Sequence, residues 1–389
     1  MKTEFLSKNC MFTAFEGTGG SPEFYLLIRS GKNNLFGDSL KSVASHLEQA
    51  YRKYGLSKDS NIFSRLFFSD IANQRDQLLG SGLYKELQEG ASSFIEQPPL
   101  TGDDLAVLLY YIKGKPNFQK ETHSSGEIEK TLTLTGDNYS LLFSCNLHAK
   151  EEIGPYNQTK HIFDSYGNQL TQKGLTLRDN TVRTWLYLND IDNHYEEVIS
   201  ARRDFFDLND LTMETHYIAS TGIGAELAEK GMLISMDALS IENLRQEQIT
   251  YLKAPEYLNP THEYGVTFER GTMISFGDRQ HFHISGTASI DNKGEVIHSG
   301  DIEKQTMRTL DNISALLSSH GASIYDMAYL IVYLRNINHY CFVEEILKQR
   351  VGGNVLLIFV KAPVCRTSWL VEIEGAGIKS CSTGFPSFL

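Results

Sequence analysis

The sequence predicts an α+β chain built from three tandem copies of one small module, each a mixed sheet with helices on one face. Three observations carry that reading. A glycine-to-isoleucine register recurs three times, apolar helical stripes and strand alternation follow in the same order in each copy, and 389 residues divide into about 130 per copy, a normal domain size.

The first copy opens at Gly37-Asp38, passes Gly55 and reaches the run Phe63-Ser-Arg-Leu-Phe-Phe-Ser-Asp-Ile71. The second runs from Gln158-Thr159 through Gly174 to Arg183-Thr-Trp-Leu-Tyr-Leu188 and Ile191, and the third from Gly300-Asp301 and Gln305-Thr306 through Gly321 to Tyr329-Leu-Ile-Val-Tyr-Leu334 and Ile337. Glycine and isoleucine stand 16, 17 and 16 residues apart. Each helix carries a stripe that buries one face: Leu40, Val43, Leu47 and Tyr51; Ile162, Tyr166 and Leu170; Leu310, Ile313 and Leu317. Two-residue alternation in the second copy puts Val182, Leu186 and Leu188 under the helices and Arg183, Trp185 and Tyr187 on the opposite sheet surface. Each copy ends in an apolar hairpin: Leu105 to Ile112, Met232 to Ile241, and Val355 to Val360 followed by Leu370 to Ile373. Polar linkers are expected around Gly114 to Glu129 and Glu242 to Glu263, giving domains 1–130, 131–250 and 251–389.

Composition narrows the function classes. The formal charge of -12, from 36 Lys+Arg against 48 Asp+Glu, disfavours nucleic acid as a partner. Cys10, Cys145, Cys341, Cys365 and Cys381 are odd in number and form no C-x-x-C pair, which reads as a reducing cytoplasm. The strongest apolar run, Val355 to Val360, is too short to span a bilayer, and no export signal is read at the N-terminus. No metal and no cofactor are expected. His281 and His283 share a strand face without a carboxylate or cysteine at ligand spacing, and Gly222-Ile-Gly224 lacks the third glycine of a dinucleotide loop.

Phe282-His-Ile-Ser-Gly-Thr-Ala-Ser-Ile290, Gly300-Asp301, Gln305, Asn312, Gly321, Asp326, Tyr333-Leu334 and Val371-Glu-Ile-Glu374 resemble the Rid family, also called YjgF/YER057c/UK114. Its members are small trimers with ligand clefts between subunits. The resemblance implies that this chain folds its chorismate-mutase-like modules into an internal pseudo-trimer, as a monomer or a loose homo-oligomer. The ordered set Arg183 to Leu188, Ala219-Ser-Thr-Gly-Ile-Gly224, Tyr264-Gly265, Phe268-Glu-Arg270, Ser285-Gly-Thr-Ala-Ser289, Val364-Cys-Arg366 and Leu370-Val-Glu-Ile-Glu374 resembles, more narrowly, the chorismatases.

That resemblance implies a small anionic substrate, chorismate, with two carboxylates and an enolpyruvyl ether. Arginine suits such a ligand, because a guanidinium binds carboxylate bidentately and stays charged when desolvated. Arg183, Arg270 and Arg366 are the candidates, although an arginine on a strand is ordinarily a solvated residue or the partner of a nearby acid. Tyr187, Tyr264, Gly286 and Ala288 are expected beside them at the substrate. Cleaving the ether by water begins with protonation of the methylene carbon, so the catalyst must hold a proton at neutral pH. Desolvation does this for a carboxylic acid. Glu372 and Glu374 share one strand face, and the family pattern favours Glu372 as the acid; an edge-strand glutamate in water is the plain alternative. The first two copies carry no acid near the corresponding place (Val107/Leu109 and Leu233/Ser235), so one working cleft is expected, between copies two and three. Cys365 is either a reactive thiol lowered by Arg366 or a buried filler, and the resemblance gives it to members that make 3-hydroxybenzoate. The rivals are a Rid-like imine or enamine deaminase, the endoribonuclease activity attached to that family, and a noncatalytic small-acid binding protein. The arginine that Rid deaminases place before their last hairpin has no counterpart around Asn354 to Leu357.

Overall fold

The computed structural model describes residues 1–33, 35–114 and 118–389 and, of Tyr264, the backbone alone. The first module comprises β1 (Lys2–Ser7), β2 (Cys10–Phe15), β3 (Glu23–Arg29), α1 (Phe36–Tyr54), β4 (Asn61–Phe68), α2 (Ile71–Leu79), α3 (Gly82–Leu87), β5 (Ala91–Glu96) and β6 (Leu105–Ile112). The second has β7 (Gln119–Ser125), β8 (Glu129–Thr135), β9 (Ser140–Leu147), α4 (Gly154–Gln172), α5 (Leu177–Asn180), β10 (Thr181–Leu188), α6 (Ile191–Leu208), β11 (Ala219–Gly224), β12 (Glu226–Leu227) and β13 (Ile234–Glu242). The third has β14 (Ile249–Tyr251), β15 (Gly271–Ser275), β16 (Arg279–Thr287), α7 (Ile302–Ser318), β17 (Met327–Leu334), α8 (Tyr340–Val351), β18 (Leu356–Lys361) and β19 (Val371–Ser380).

Each module forms one mixed sheet in which the last strand inserts beside the third: β1-β2-β3-β6-β4-β5, β7-β8-β9-β13-β10-β11 and β14-β15-β16-β19-β17-β18. The repeated glycines explain the register. Gly55, Gly174 and Gly321 all take left-handed φ, of 63°, 75° and 69°, just past the first long helix, where a side chain would be strained. Ile71 and Ile191 then open α2 and α6, and Ile337 opens a short 3₁₀ turn leading into α8.

The domain boundaries fall differently from the composition-based expectation. The second sheet begins at Gln119, inside the segment read as a linker, because β7 is polar on both faces and lies exposed as an edge strand, so it shows no apolar alternation. The third sheet likewise claims Ile249–Tyr251 from the second expected linker.

The modules close into a ring. β5 packs on β9, β11 on β16 and β18 on β3. At each seam the same strand position bridges to the next module: Ile95 pairs with Leu227, Ile223 with Val364 and Val360 with Pro99. Helices cover the outer faces, and the helix-free faces of the sheets meet around the pseudo-threefold axis. Arg65 and Arg183 therefore point inward and are fully buried, where alternation alone had left Arg183 on a free sheet surface.

Candidate functional site

The seams differ in what β3, β9 and β16 present to their neighbours. In the third module the ladder slips between Ile284 and Thr287, so Ser285 and Gly286 bulge out opposite Glu374. The second module has the same slip, placing Cys145 and Asn146 opposite Asp237, while the first runs without a bulge and sets Leu27 against Leu108. The register also fixes the counterparts of Glu372. Tyr333 faces Glu372, Tyr187 faces Ser235 and Phe67 faces Ala106, so the first copy's counterpart is Ala106 where Val107 or Leu109 was expected.

Among the described residues, only the seam between the second and third modules combines an acid at the Glu372 position with an open bulge. Its cleft is narrow, with about 40 Å³ of room for water-sized molecules. α6 contributes Tyr195, Ile199 and Arg202, spaced i, i+4, i+7 on one helix face, and β11 contributes Ser220 to Gly222. The third module supplies Phe268, Arg270, Gly286, Ala288, Cys365, Arg366, Trp369 and Glu372. Gly286 lies so close to the acid that a Cβ there would meet Glu372 Oε1 at 1.9 Å.

Glu372 is buried, and that burial, with Glu374 beside it, pushes its carboxyl up to about 8 against the pull of Arg183. It is thus protonated at neutral pH. Cys365 goes the opposite way from a reactive thiol: burial and the nearby Glu372 push it up to about 12, outweighing Tyr195 and Arg366. Arg366 lies over the Trp369 ring, 5.0 Å from its centroid, and Arg270 is oriented by the Asn259 carbonyl, with Nη2 at 3.0 Å. Arg202 donates from Nε to Thr267 at 3.1 Å.

Of the residues singled out in the sequence, Glu372, Cys365, Arg270, Arg366, Gly286 and Ala288 meet at this cleft. Arg183 and Tyr187 do not line it. Arg183 lies beneath its floor, bound to Glu374 Oε2 at 2.5 Å and to Thr221, and Tyr187 is buried near Arg65 at the axis. The side chain of Tyr264 lies outside the described residues. Arg202 was not among the residues singled out in the sequence; its spacing from Tyr195 and Ile199 was the signal that puts it in the cleft. His281 donates from Nε2 to Glu23 Oε1 at 2.8 Å, and burial drives His283 down to about 3, so both belong to the buried interface between the first and third modules.

The other seams are closed by their own side chains. Asn146, the counterpart of Gly286, donates to the carbonyls of Ser92 and Ile128 and accepts from Phe94 N, bolting the first module to the second. The wide groove outside it holds charges already paired, Arg75 with Glu127 and Lys150 with Glu229. The seam between the third and first modules is sealed by main-chain bonds from Leu100 and Lys361.

Tandem Rid-like modules closed into an internal pseudo-trimer define the class of this protein. The family model for endoribonuclease L-PSP matches residues 275–378, and a RutC family protein of Pyrococcus abyssi is 30% identical over 137 residues, covering 35% of this chain and 99% of that protein. The chain belongs to the RutC family. A 3-hydroxybenzoate synthase of Streptomyces hygroscopicus is 29% identical over 220 residues, 50% of this chain; the match spans 62% of that relative's length. A crystal structure of a chorismatase superposes with a TM-score of 0.65 over 93% of this chain and 99% of the other at 17% identity, which shows the shared fold. Among the described residues no helix is long and apolar enough to cross a membrane.

Proposed function

We propose that the seam between the second and third modules cleaves the enolpyruvyl ether of chorismate, releasing pyruvate together with 3-hydroxybenzoate or a dihydroxycyclohexadiene carboxylate. The observation that carries this reading is the Glu372 carboxyl, held protonated near neutrality in a cleft walled by Arg202, Arg270 and Arg366. The likeness to a 3-hydroxybenzoate synthase supports the same substrate.

The arginines receive the two substrate carboxylates as charge-assisted pairs. Glu372 gives its proton to the terminal methylene carbon, and the ether oxygen stabilises the resulting oxocarbenium ion. Water adds to the adjacent, ether-bearing carbon of that ion, and the proton it sheds returns to Glu372. The hemiketal then collapses: the bond between the pyruvyl carbon and the ether oxygen breaks, the hemiketal hydroxyl becomes the carbonyl of pyruvate, and its proton ends on the ether oxygen, which stays on the ring as a hydroxyl of the diol. Loss of water from the diol gives the aromatic product. The preferred product is 3-hydroxybenzoate, on the family pattern at Cys365, whose protonated thiol fills the cleft wall without attacking.

Purified protein incubated with chorismate should release pyruvate stoichiometrically with a hydroxybenzoate or a diol acid. No pyruvate, together with hydrolysis of amino-acid-derived imines, would transfer the site to the deaminase reading, which the likeness to a 3-aminoacrylate deaminase RutC favours. On this reading the protein works in the cytoplasm as a monomer with an internal threefold ring or as a loose homo-oligomer of such rings.

A further inference from the structure

We propose that Glu374 is a positioning residue for the Glu372 acid, and that Arg65 of the first module, which lines no part of the cleft, ties it in place. This rests on the assignment of Glu372 as the proton donor.

The buried carboxylate of Glu374 is gripped from all three modules. Its Oε1 accepts from Arg65 Nη1 at 3.3 Å, Trp185 Nε1 at 3.1 Å and Tyr333 Oη at 2.9 Å; its Oε2 accepts from Arg183 Nη2 at 2.5 Å and from the Thr221 hydroxyl. With donors on both oxygens, the group is held as an acceptor. Arg65 stacks over Trp185, 4.6 Å from the ring centroid, which fixes the guanidinium that reaches across the axis. Thr221 Oγ1 also accepts from Gly286 N at 2.9 Å, so the same hydroxyl connects Glu374 to the glycine against which Glu372 lies.

The charges give this arrangement a consequence. Glu374 occupies Arg183, the cation that would otherwise draw the proton from Glu372, and it adds a like charge two residues along the strand. Both effects keep the acid neutral. The other ionisable groups around Glu372 are Cys365 and Arg366 on the preceding loop, Tyr195 and Arg202 on α6, Arg270 before β15 and Tyr333 on β17. His283 on β16 is uncharged. Arg183 is held by Glu374 in an ion pair beneath the cleft floor, with Arg65 on the other carboxylate oxygen.

The test is an infrared titration of Glu372 in the free protein, using ¹³C-labelled glutamate and assigning the band by its loss in Glu372→Gln. In Glu374→Gln the midpoint should fall by one pH unit or more from about 8, a displacement that general loosening of the fold would not produce. Arg183→Met should move it upward. Arg65→Gln should lower kcat at least tenfold with KM unchanged, and Arg65→Lys should recover part of it. An unmoved midpoint in folded Glu374→Gln overturns the proposal. If that variant does not fold, an unmoved midpoint in Arg183→Met overturns it. Unaltered kcat in Arg65→Gln removes the first module from the device. Because the titration needs no substrate, a displaced midpoint without chorismate turnover leaves the coupling intact and discards only the reaction.

Discussion

Glu372→Gln should make the protein more stable while abolishing its turnover, and by an amount that depends on pH. In the unfolded chain the carboxyl ionises near its ordinary value of 4.5, whereas in the folded protein it holds its proton to about 8. Below 4.5 both states are protonated and the group has no effect on stability. Between 4.5 and about 8 the unfolded chain alone is ionised, so each pH unit favours unfolding by about 1.4 kcal/mol. The accumulated cost is about 3 kcal/mol at pH 7 and levels off near 5 kcal/mol above pH 8. Glutamine has the same shape and no proton to lose, so it removes the cost. Guanidinium unfolding of both proteins at pH 4, 7 and 9 should show curves that nearly coincide at pH 4 and separate progressively at higher pH. A gap that is flat with pH, or a variant less stable at pH 9, would mean that Glu372 is an ordinary ionised glutamate and cannot be the proton donor.

Four further outcomes follow from the cleft geometry. Gly286→Ala drives a methyl into the Glu372 carboxyl and should lower kcat at least a hundredfold while costing about 1–3 kcal/mol of stability, read by steady-state kinetics and thermal melts. Arg202→Ala should raise KM, by about 2–5 kcal/mol if it holds a desolvated substrate carboxylate; Arg183→Ala should instead destabilise the fold by about 3–5 kcal/mol, because Glu374 loses its nearest cation. Iodoacetamide at pH 8 should label exposed Cys341 first and leave Cys365 unmodified, as peptide mass mapping would show.

Much of the ring was legible in the sequence, and the reason is local. Gly55, Gly174 and Gly321 are needed wherever the chain reverses with left-handed φ, so they stamp a period on the sequence that survives the loss of other identity. The acid was legible because strand alternation puts Glu372 and Glu374 on one face and no helix covers that face. Arg183 misled for the same reason. Alternation states which face a residue occupies, and only the ring closure decides whether that face opens to a cleft or meets the axis; Arg183 meets the axis, one layer beneath the residues that line the seam. Arg202 was hidden by the converse, since nothing local in the sequence tells that the helix face it shares with Tyr195 and Ile199 abuts the third module. β7 could not be found by pattern, because an exposed edge strand has no apolar face to show.

The seams explain why one chain with three modules needs only one acid. A cleft at this position requires the bulge opposite the acid position, a residue small enough to leave space there, and a carboxyl on the last strand. The third module has all of these in Ser285-Gly286 and Glu372. The second keeps the bulge but fills it with Asn146, whose bonds to Ser92 and Phe94 of the first module turn the space into a joint, and it has Ser235 in place of the acid. The first has lost the bulge, and Leu27 against Leu108 makes an apolar contact. Fusing the modules freed two seams from chemistry, and each took up a structural task that a symmetric trimer could not give it. The central charges follow the same division: Arg65 and Arg183 come from two modules that have no acid in the cleft position, and both close on Glu374 of the third, so the ring holds the one active seam from behind.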